Sequence, residues 1–172
     1  MLVEGPNGHA SELPVVREAV RAVVLDRDNR VLLFKAFSDK GRSRYFWITP
    51  GGGVTDGESD ASALRRELAE ECGLVACEIG PLVWVREHTF PFPDSGRLLR
   101  QREHYYLVRV DRHDVDVSGW DDFERNFMGE HRWWTIDEIQ ASTDQFAPHR
   151  LGRRLADVVS GRMPSEPVDT GI

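Results

Sequence analysis

The chain has 172 residues, of which 40% are hydrophobic and 30% charged, and its formal net charge at pH 7 is −7. This composition suits one globular domain with an ordinary core, and no run approaches the ~20 apolar residues that a membrane-spanning helix needs. The acidic balance argues against general nucleic-acid binding, although it does not exclude a phosphorylated small molecule, because bound metal ions can reverse the local field.

The N-terminal half predicts strands followed by a helix. We expect residues 1–13 to be a flexible lead, without the basic start and apolar stretch of a signal peptide. Apolar and β-branched residues predict strands at 15–26, 31–37 and 45–49, with turn residues at 26–30. Only Cys72 and Cys77 are present, so we expect a reducing cytoplasm and no disulfide framework.

The C-terminal half predicts further strands and two helices. Strands are expected at 79–89, 98–110 and 131–136, a short helix from Asp137 and an amphipathic helix at 148–160. Residues 120–127 fit a loop or a short helix equally well. Residues 162–172 are rich in proline, serine and acids and should form a flexible tail. Interleaved strands and helices indicate a single α/β domain over residues 14–161.

A glycine-rich loop precedes the helix that carries most of the chemistry. Residues 50–53 read Pro-Gly-Gly-Gly, which favours a loop with a bare backbone. Ser59 is a suitable N-cap, and Gly73 is a suitable C-terminal end. Between them, an apolar stripe at helical spacing should face the core. Its members are Ala61, Leu64, Leu68 and Cys72.

Three carboxylates lie beside that stripe. At about 100° per residue, Glu67, Glu70 and Glu71 fall within one arc of roughly 100°. Like charges on one arc repel one another, and hard divalent cations remove that repulsion. A solvated acidic face is the alternative, but the adjoining glycine loop favours a metal site.

Residues 52–74 follow the pattern G-x5-E-x7-R-E-U-x-E-E-x-G-U, where U is aliphatic, with no position missing. This pattern resembles the Nudix box of the MutT-like Nudix hydrolases, which cleave diphosphates linked to another group. The resemblance implies an α/β Nudix fold, in which a mixed β-sheet is sandwiched between α-helices. It also implies a hydrolase that requires Mg²⁺ or Mn²⁺.

The resemblance assigns roles to the box residues. Glu67, Glu70 and Glu71 would be metal ligands, with the backbone carbonyl of Gly51, and Glu67 or Glu70 would act as general base. Arg66 completes the catalytic set through site geometry rather than chemistry.

Other box residues are expected to be structural. Glu58 should pair with Arg66 and hold loop and helix in register, while Gly52 and Gly73 shape the backbone.

A further acidic ligand is expected from a loop late in the fold, as in many relatives. Four acids precede residues 131–134, and ordinary surface acids are the alternative for each of them. They are Asp121, Asp122, Glu124 and Glu130. We favour Glu124.

Residues that bind the substrate are harder to predict. Arginines suit phosphates, and flat aromatic rings suit a nucleobase. The arginine candidates are Arg86, Arg97, Arg100 and Arg102. The aromatic candidates are Trp47, Phe92, Trp120, Phe123 and Phe127, of which the last two are more typical of core packing.

These features predict a cytoplasmic diphosphatase for a nucleoside diphosphate derivative or a nucleoside triphosphate. Its partner would be a small nucleotide-derived substrate, with no membrane, and a homodimer stays open. A non-catalytic Nudix sensor module is the alternative, although such modules usually lose a box glutamate. Isoprenyl diphosphate isomerisation ranks last, because Cys72 and Cys77 lie outside the motif it requires.

Overall fold

The computed structural model describes residues 14–91 and 97–171. The expected flexible lead at 1–13 therefore lies outside the described residues, as does Phe92. The elements, in chain order, are β1 (Val15–Leu25), β2 (Val31–Phe37), β3 (Tyr45–Ile48), α1 (Asp60–Cys72), β4 (Ile79–Pro91), β5 (Leu98–Arg109), α2 (Asp122–Phe127), β6 (Met128–Trp134), α3 (Ile136–Ala141), β7 (Phe146–Ala147), α4 (Leu151–Val159) and β8 (Val168–Asp169).

The strands form one mixed sheet with two halves. One half has the order β1-β5-β4-β8, and the other has the order β6-β2-β3-β7. The halves meet where Leu25 of β1 pairs with Val31 of β2. Beyond that pair the two strands take different partners: β1 runs parallel to β5, and β2 runs antiparallel to β6 and β3.

Beyond the Leu25–Val31 pair, β2 no longer pairs with β1, and the glycine loop (residues 50–53) pairs with that edge of β1 instead. Val20 donates its backbone N–H to the Gly52 carbonyl at 2.9 Å, and Ala22 donates to the Pro50 carbonyl at 2.8 Å. The loop therefore satisfies backbone groups that a neighbouring strand would otherwise satisfy. This pairing holds the loop directly beside the middle of β1.

Helices cover both faces of the sheet, as expected for the sandwich. On one face α1 packs over Val20, Ala22 and Val24, and on the other α4 packs over Val23 and Leu25. Alternate residues of β1 thus enter different cores, as the two-residue period of a strand requires. The predicted fold class is confirmed.

The structure confirms the boundaries of α1 and corrects its buried face. The Ser59 side chain accepts a hydrogen bond from Ser62 N–H, and Gly73 ends the helix with φ 67°. Leu64, Leu68 and Cys72 are buried as expected, but Ala63 is buried in place of Ala61, which is half-buried.

The structure decides one open alternative, at residues 120–127, in favour of a helix, and it moves the starts of two other elements. Residues 122–127 form a helix whose N-cap Asp121 makes a capping box with Glu124. β6 begins at Met128, three residues before the expected start, and α4 begins at Leu151 because Arg150 has the left-handed φ of 59°.

The C-terminal segment contradicts the expectation of a flexible tail. β8 pairs in parallel with β4, with Val168 opposite Trp84. Thr170 is buried, donates its N–H to the Val85 carbonyl at 2.8 Å, and accepts at its own carbonyl a bond from Arg154. Two-residue strands carry no periodic pattern, so the sequence does not reveal them.

Within the described residues, none of the helices has the length and apolar character needed to cross a bilayer.

This arrangement predicts that the C-terminal segment contributes to stability. Removing residues 165–172 deletes β8 and the bonds of Thr170, and should lower the free energy of unfolding by roughly 3 kcal/mol, at about 1 kcal/mol for each lost hydrogen bond. Glu166→Gln, at an exposed position, is the control and should change it by less than about 0.5 kcal/mol. Urea unfolding of the three proteins tests this, and an unchanged midpoint after truncation would restore the flexible tail.

Candidate active site

Helix α1 presents two of its three box carboxylates to the interior. Glu67 and Glu71 are buried, at 8% and 5% exposure, whereas Glu70 is exposed. The three residues therefore do not share one environment, although their spacing placed them on one arc. Glu70 lies at the solvent border, 3.4 Å from Arg66 Nη1.

The glycine loop holds these carboxylates by close backbone contact. Gly51 donates its N–H to Glu71 Oε2 at 2.6 Å. Its φ is 131°, and a Cβ there would lie 2.1 Å from the Val20 carbonyl oxygen, so only glycine fits. A Cβ at Gly52 would lie 2.6 Å from the carboxylate oxygens of Glu67. Both glycines thus allow the loop to touch the acidic face of α1.

Arg66 joins the loop to the helix, the arrangement expected for it. It binds Glu58 through Nε and Nη2, at 3.1 and 3.0 Å, and Nη2 also donates to the Gly53 carbonyl at 3.0 Å. Nη1 donates to Glu67 Oε1 at 2.7 Å. Arg66, first among its partners, lowers the pKa of Glu58 to about 2. Arg66 is therefore a positioning residue for Glu67.

Glu124 reaches the same place from α2. The indole N–H of Trp120 donates to the Glu71 carbonyl at 2.9 Å, and a Cβ at Gly119 would lie 2.5 Å from the Glu70 carbonyl. These contacts fasten the start of α2 against α1. Oxygen atoms of Glu67, Glu71 and Glu124 then lie within 4.8 Å of one another. We call these three residues the acidic cluster.

The protein compensates the ionised form of the acidic cluster only in part. Burial raises the pKa of Glu71 to about 8, although the charge of Arg21 and the hydrogen bond from Gly51 both lower it. Burial likewise raises the pKa of Glu67 and Glu124, and each cluster carboxylate experiences repulsion from neighbouring acids. Converging hard oxygen donors of this kind suit Mg²⁺ or Mn²⁺. The donor set therefore fits the expected cation.

A cleft of about 510 Å³ opens between the two halves of the sheet. Its aromatic walls come from both halves and from α2 and include Phe37, Phe46, Phe90 and Phe127. Its polar floor consists of side chains from β1, β4 and β5, namely Arg21, Arg86, His88, Gln101 and Glu103. A cleft of this size and lining suits a small molecule with a flat ring.

Arg21 links this cleft to the glycine loop. Its Nε donates to Glu103 Oε1 at 3.0 Å, and its Nη1 donates to the Gly51 carbonyl at 2.6 Å. The carbonyl expected to bind metal therefore already accepts one hydrogen bond, which leaves it one lone pair.

Glu103 is the most enclosed charge of the cleft. It accepts hydrogen bonds from Arg21, Arg86, Gln101 and Tyr105 at 2.8 to 3.1 Å. Burial opposes its ionisation, but the neighbouring cations, Arg21 foremost, hold the pKa of Glu103 well below its ordinary value. Arg86, a predicted substrate-binding residue, lines the cleft, and its Nη1 donates to Glu103 Oε2 at 3.1 Å.

Two arginines that the sequence offered as substrate-binding candidates lie away from the cleft. Arg100 and Arg102 lie on the opposite face of β5 from Gln101 and Glu103, and both pair with Glu87. They do not line the cleft.

Two tryptophans that the sequence offered as stacking candidates are buried away from the cleft. Trp47 is 4% exposed, donates to Asp144 Oδ2 at 2.9 Å and packs on Trp134, while its neighbour Phe46 faces the cleft. Trp120 is buried beneath α1.

The predicted packing of Phe123 and Phe127 holds only in part. Phe127 packs against the core beneath α1 and also lines the cleft, whereas Phe123 is 48% exposed.

Arg21, Gln101 and Glu103 were not among the site residues predicted from the sequence. Arg21 and Glu103 interrupt otherwise apolar or alternating strands, which is the signal that could have singled them out as buried polar residues. Their partnership depends on the register of β1 against β5, which sequence spacing does not reveal.

Comparison with known proteins agrees with this geometry. The model of the NUDIX domain family matches residues 15–155. Nudix hydrolase 25 of Arabidopsis thaliana is 34% identical over 140 residues, covering 73% of this chain and 76% of that protein. An RNA pyrophosphohydrolase of Novosphingobium aromaticivorans is 30% identical over 151 residues, covering 82% and 90%.

A solved structure shows the same fold. The MutT protein from Methanosarcina mazei superposes with a TM-score of 0.61 at 18% identity, covering 87% of this chain and 96% of that one. The match to the family model over most of the chain, together with the complete box, is decisive: the chain belongs to the Nudix hydrolase family.

Proposed function

We propose that this hydrolase cleaves the diphosphate linkage of a nucleoside diphosphate derivative or a nucleoside triphosphate, with Mg²⁺ or Mn²⁺ as cofactor. One observation carries the proposal: oxygen atoms of Glu67, Glu71 and Glu124 lie within 4.8 Å of one another. The cleft that Arg21 connects to the glycine loop supplies room for the organic part of the substrate.

Divalent cations held by the acidic cluster would neutralise phosphate charge and make water a stronger nucleophile near neutral pH. The chain's own residues fix where this happens. The Gly51 N–H orients Glu71, and Arg66 orients Glu67. Glu124 completes the set from α2. Glu70, at the border, would add a further ligand after leaving Arg66.

Glu67 is the better of the two candidates for general base. Its carboxylate lies inside the acidic cluster, and burial raises its pKa towards the range useful for proton transfer. Glu70 is exposed to bulk water. In this proposal Glu67 accepts a proton from the attacking water while Arg66 keeps the carboxylate in place.

The cleft favours a nucleoside over an unsubstituted diphosphate. Phe46, Phe90 and Phe127 offer ring faces for a base, and the floor offers donors. Arg86 Nε is buried and has no hydrogen-bond partner among residues 14–91 and 97–171, so a substrate acceptor could satisfy it. This apolar, partly enclosed lining argues for a substrate with one flat heterocycle.

A 5′-triphosphorylated RNA end is a second candidate. The observation that favours it is the 30% identity to a protein named RNA pyrophosphohydrolase, over most of both chains. Only the terminal nucleoside would need to enter the cleft.

We place the protein in the cytoplasm, which agrees with free thiols at Cys72 and Cys77. A homodimer stays a prediction.

The proposal predicts metal-dependent hydrolysis that depends on Glu71. Release of phosphate, diphosphate and monophosphate would be measured with Mg²⁺ and Mn²⁺ on nucleoside triphosphates, ADP-ribose, nucleotide sugars, dinucleoside polyphosphates, NADH, CoA and a triphosphorylated RNA oligonucleotide. Glu71→Gln should reduce turnover of the accepted class by about 10²-fold or more, because it removes a charged ligand.

Glu78→Gln, at an exposed position just beyond α1, is the matched control and should keep full activity. Equal turnover by Glu71→Gln and wild type would refute the site. Hydrolysis of no member of the panel would refute the proposed substrate class.

The acidic cluster also predicts opposite pH dependences for stability and for metal binding. The pKa of Glu71 is raised to about 8, above its unfolded value, so the native state holds the proton more tightly. Stability from this group is complete below the unfolded pKa and is lost as pH rises towards about 8. Mg²⁺ binding requires the carboxylate and should strengthen over the same interval.

The measurement is urea unfolding in EDTA at pH 6 and pH 8, beside Mg²⁺ titration calorimetry. Relative to Glu71→Gln, wild type should lose stability between the two pH values. If the difference between the two proteins does not change with pH, Glu71 has no raised pKa.

A further inference from the structure

Arg17 on β1 stands out because its charge is not balanced by any carboxylate contact. Within residues 14–91 and 97–171 it forms no ion pair, and its one hydrogen bond is Nη1 to Gln101 Oε1 at 3.5 Å. By contrast, Arg21 and Arg66, its neighbours at the site, bind carboxylates at 2.7 to 3.1 Å.

Arg17 is exposed to solvent, and its guanidinium lies against the glycine loop. A Cβ at Gly53 would lie 2.7 Å from Arg17 Nη2, 2.9 Å from Nε and 3.2 Å from Cζ, so the guanidinium rests on bare backbone. The carbonyl of the same Gly53 accepts a bond from Arg66, which holds Glu67. Arg17 thus lies beside the acidic cluster without binding it.

Arg17 also borders the cleft. Gln101, which accepts its hydrogen bond, lines the cleft and donates Nε2 to Glu103 at 2.9 Å. The guanidinium therefore stands between the cleft and the acidic cluster. A substrate with its ring in the cleft and its diphosphate at the cluster would pass this point.

The local electrostatics favour an anion there. Loss of water and the charge of Arg21 lower the pKa of Arg17, while Glu67 and Glu103 raise it. Arg17 and Arg21 lie close together, and of these two cations only Arg21 contacts Glu103 directly. Arginine can bind phosphate oxygens with two parallel donors.

We propose that Arg17 binds the substrate phosphate that lies between the acidic cluster and the cleft. The proposal rests on the proposed function and adds a phosphate-binding residue outside the box. Gln101 orients the guanidinium, and Gly53 leaves room for it.

The test measures phosphate binding without turnover. The probe is methylenediphosphonate, which resists hydrolysis, titrated calorimetrically in Mg²⁺. Arg17→Gln should weaken its binding about ten- to a hundredfold, the loss expected for hydrogen bonds between charged groups. Arg17→Lys keeps the charge but lacks the two parallel donors of arginine, so it should lose less affinity for the probe. Arg27→Gln, with the same charge change at an exposed turn, should bind as wild type.

A second readout separates phosphate binding from a structural role. Mg²⁺ affinity without the probe should be unchanged in Arg17→Gln; an equal fall in Mg²⁺ affinity would mean that Arg17 supports the loop and would overturn the proposal. Wild-type affinity for the probe in both Arg17 variants, or no binding by wild type, would overturn it as well. If Arg17→Gln does not fold, Arg17→Lys decides.

The same variants distinguish the proposed role of Arg17 from the proposed hydrolysis of a nucleotide-derived diphosphate. If wild type hydrolyses a substrate from the panel and Arg17→Gln has the same KM, only the role of Arg17 fails. If wild type hydrolyses none of them but the probe result holds, the proposed function fails alone.

Discussion

The hydrogen bond from the Gly51 N–H to the buried carboxylate of Glu71, at 2.6 Å, is the contact on which the site depends. It requires the loop backbone to lie between β1 and α1 with no side chain in the way. Only a positive φ at Gly51 and a missing Cβ permit that approach. The same loop then brings its carbonyls to Arg21 and Arg66, so one short segment aligns strand, helix and both arginines.

Charge is distributed unevenly on the two sides of this loop. On the α1 side, acids outnumber the contacts that neutralise them, and burial raises their pKa values. On the cleft side, Glu103 is saturated by donors, and Arg17 keeps an unbalanced positive charge. A polyanion accompanied by divalent cations matches this pattern: the cations belong at the acids and the phosphate beside the arginine. The asymmetry itself favours catalysis over a purely structural acidic patch.

The sequence predicted what depends on local spacing. The boundaries of α1 follow from its capping residues and helical spacing, and the contact of Arg66 with Glu58 was implied by the resemblance of residues 52–74 to the Nudix box. It could not predict which side of β3 faces the cleft, and so Trp47 was a stacking candidate while Phe46 was not. A shift of one residue in the register of a strand moves every side chain to the opposite face of the sheet.

The sequence also could not reveal the contacts between side chains of neighbouring strands. Arg17 and Gln101 are 84 residues apart, and Arg21 and Glu103 are 82 apart. Only the parallel pairing of β1 with β5 brings them together. β8 escaped prediction for a related reason, since its two residues become a strand only where β4 offers a free edge.

Anomalous diffraction from crystals soaked in Mn²⁺ tests the central claim most directly. The account predicts a manganese peak within about 2.0–2.3 Å of carboxylate oxygens from Glu67 and Glu71, typical of hard cations on oxygen. Glu124 should be a ligand directly or through water. A peak confined to other acids, or no peak while Glu67, Glu71 and Glu124 keep the positions described here, would contradict it.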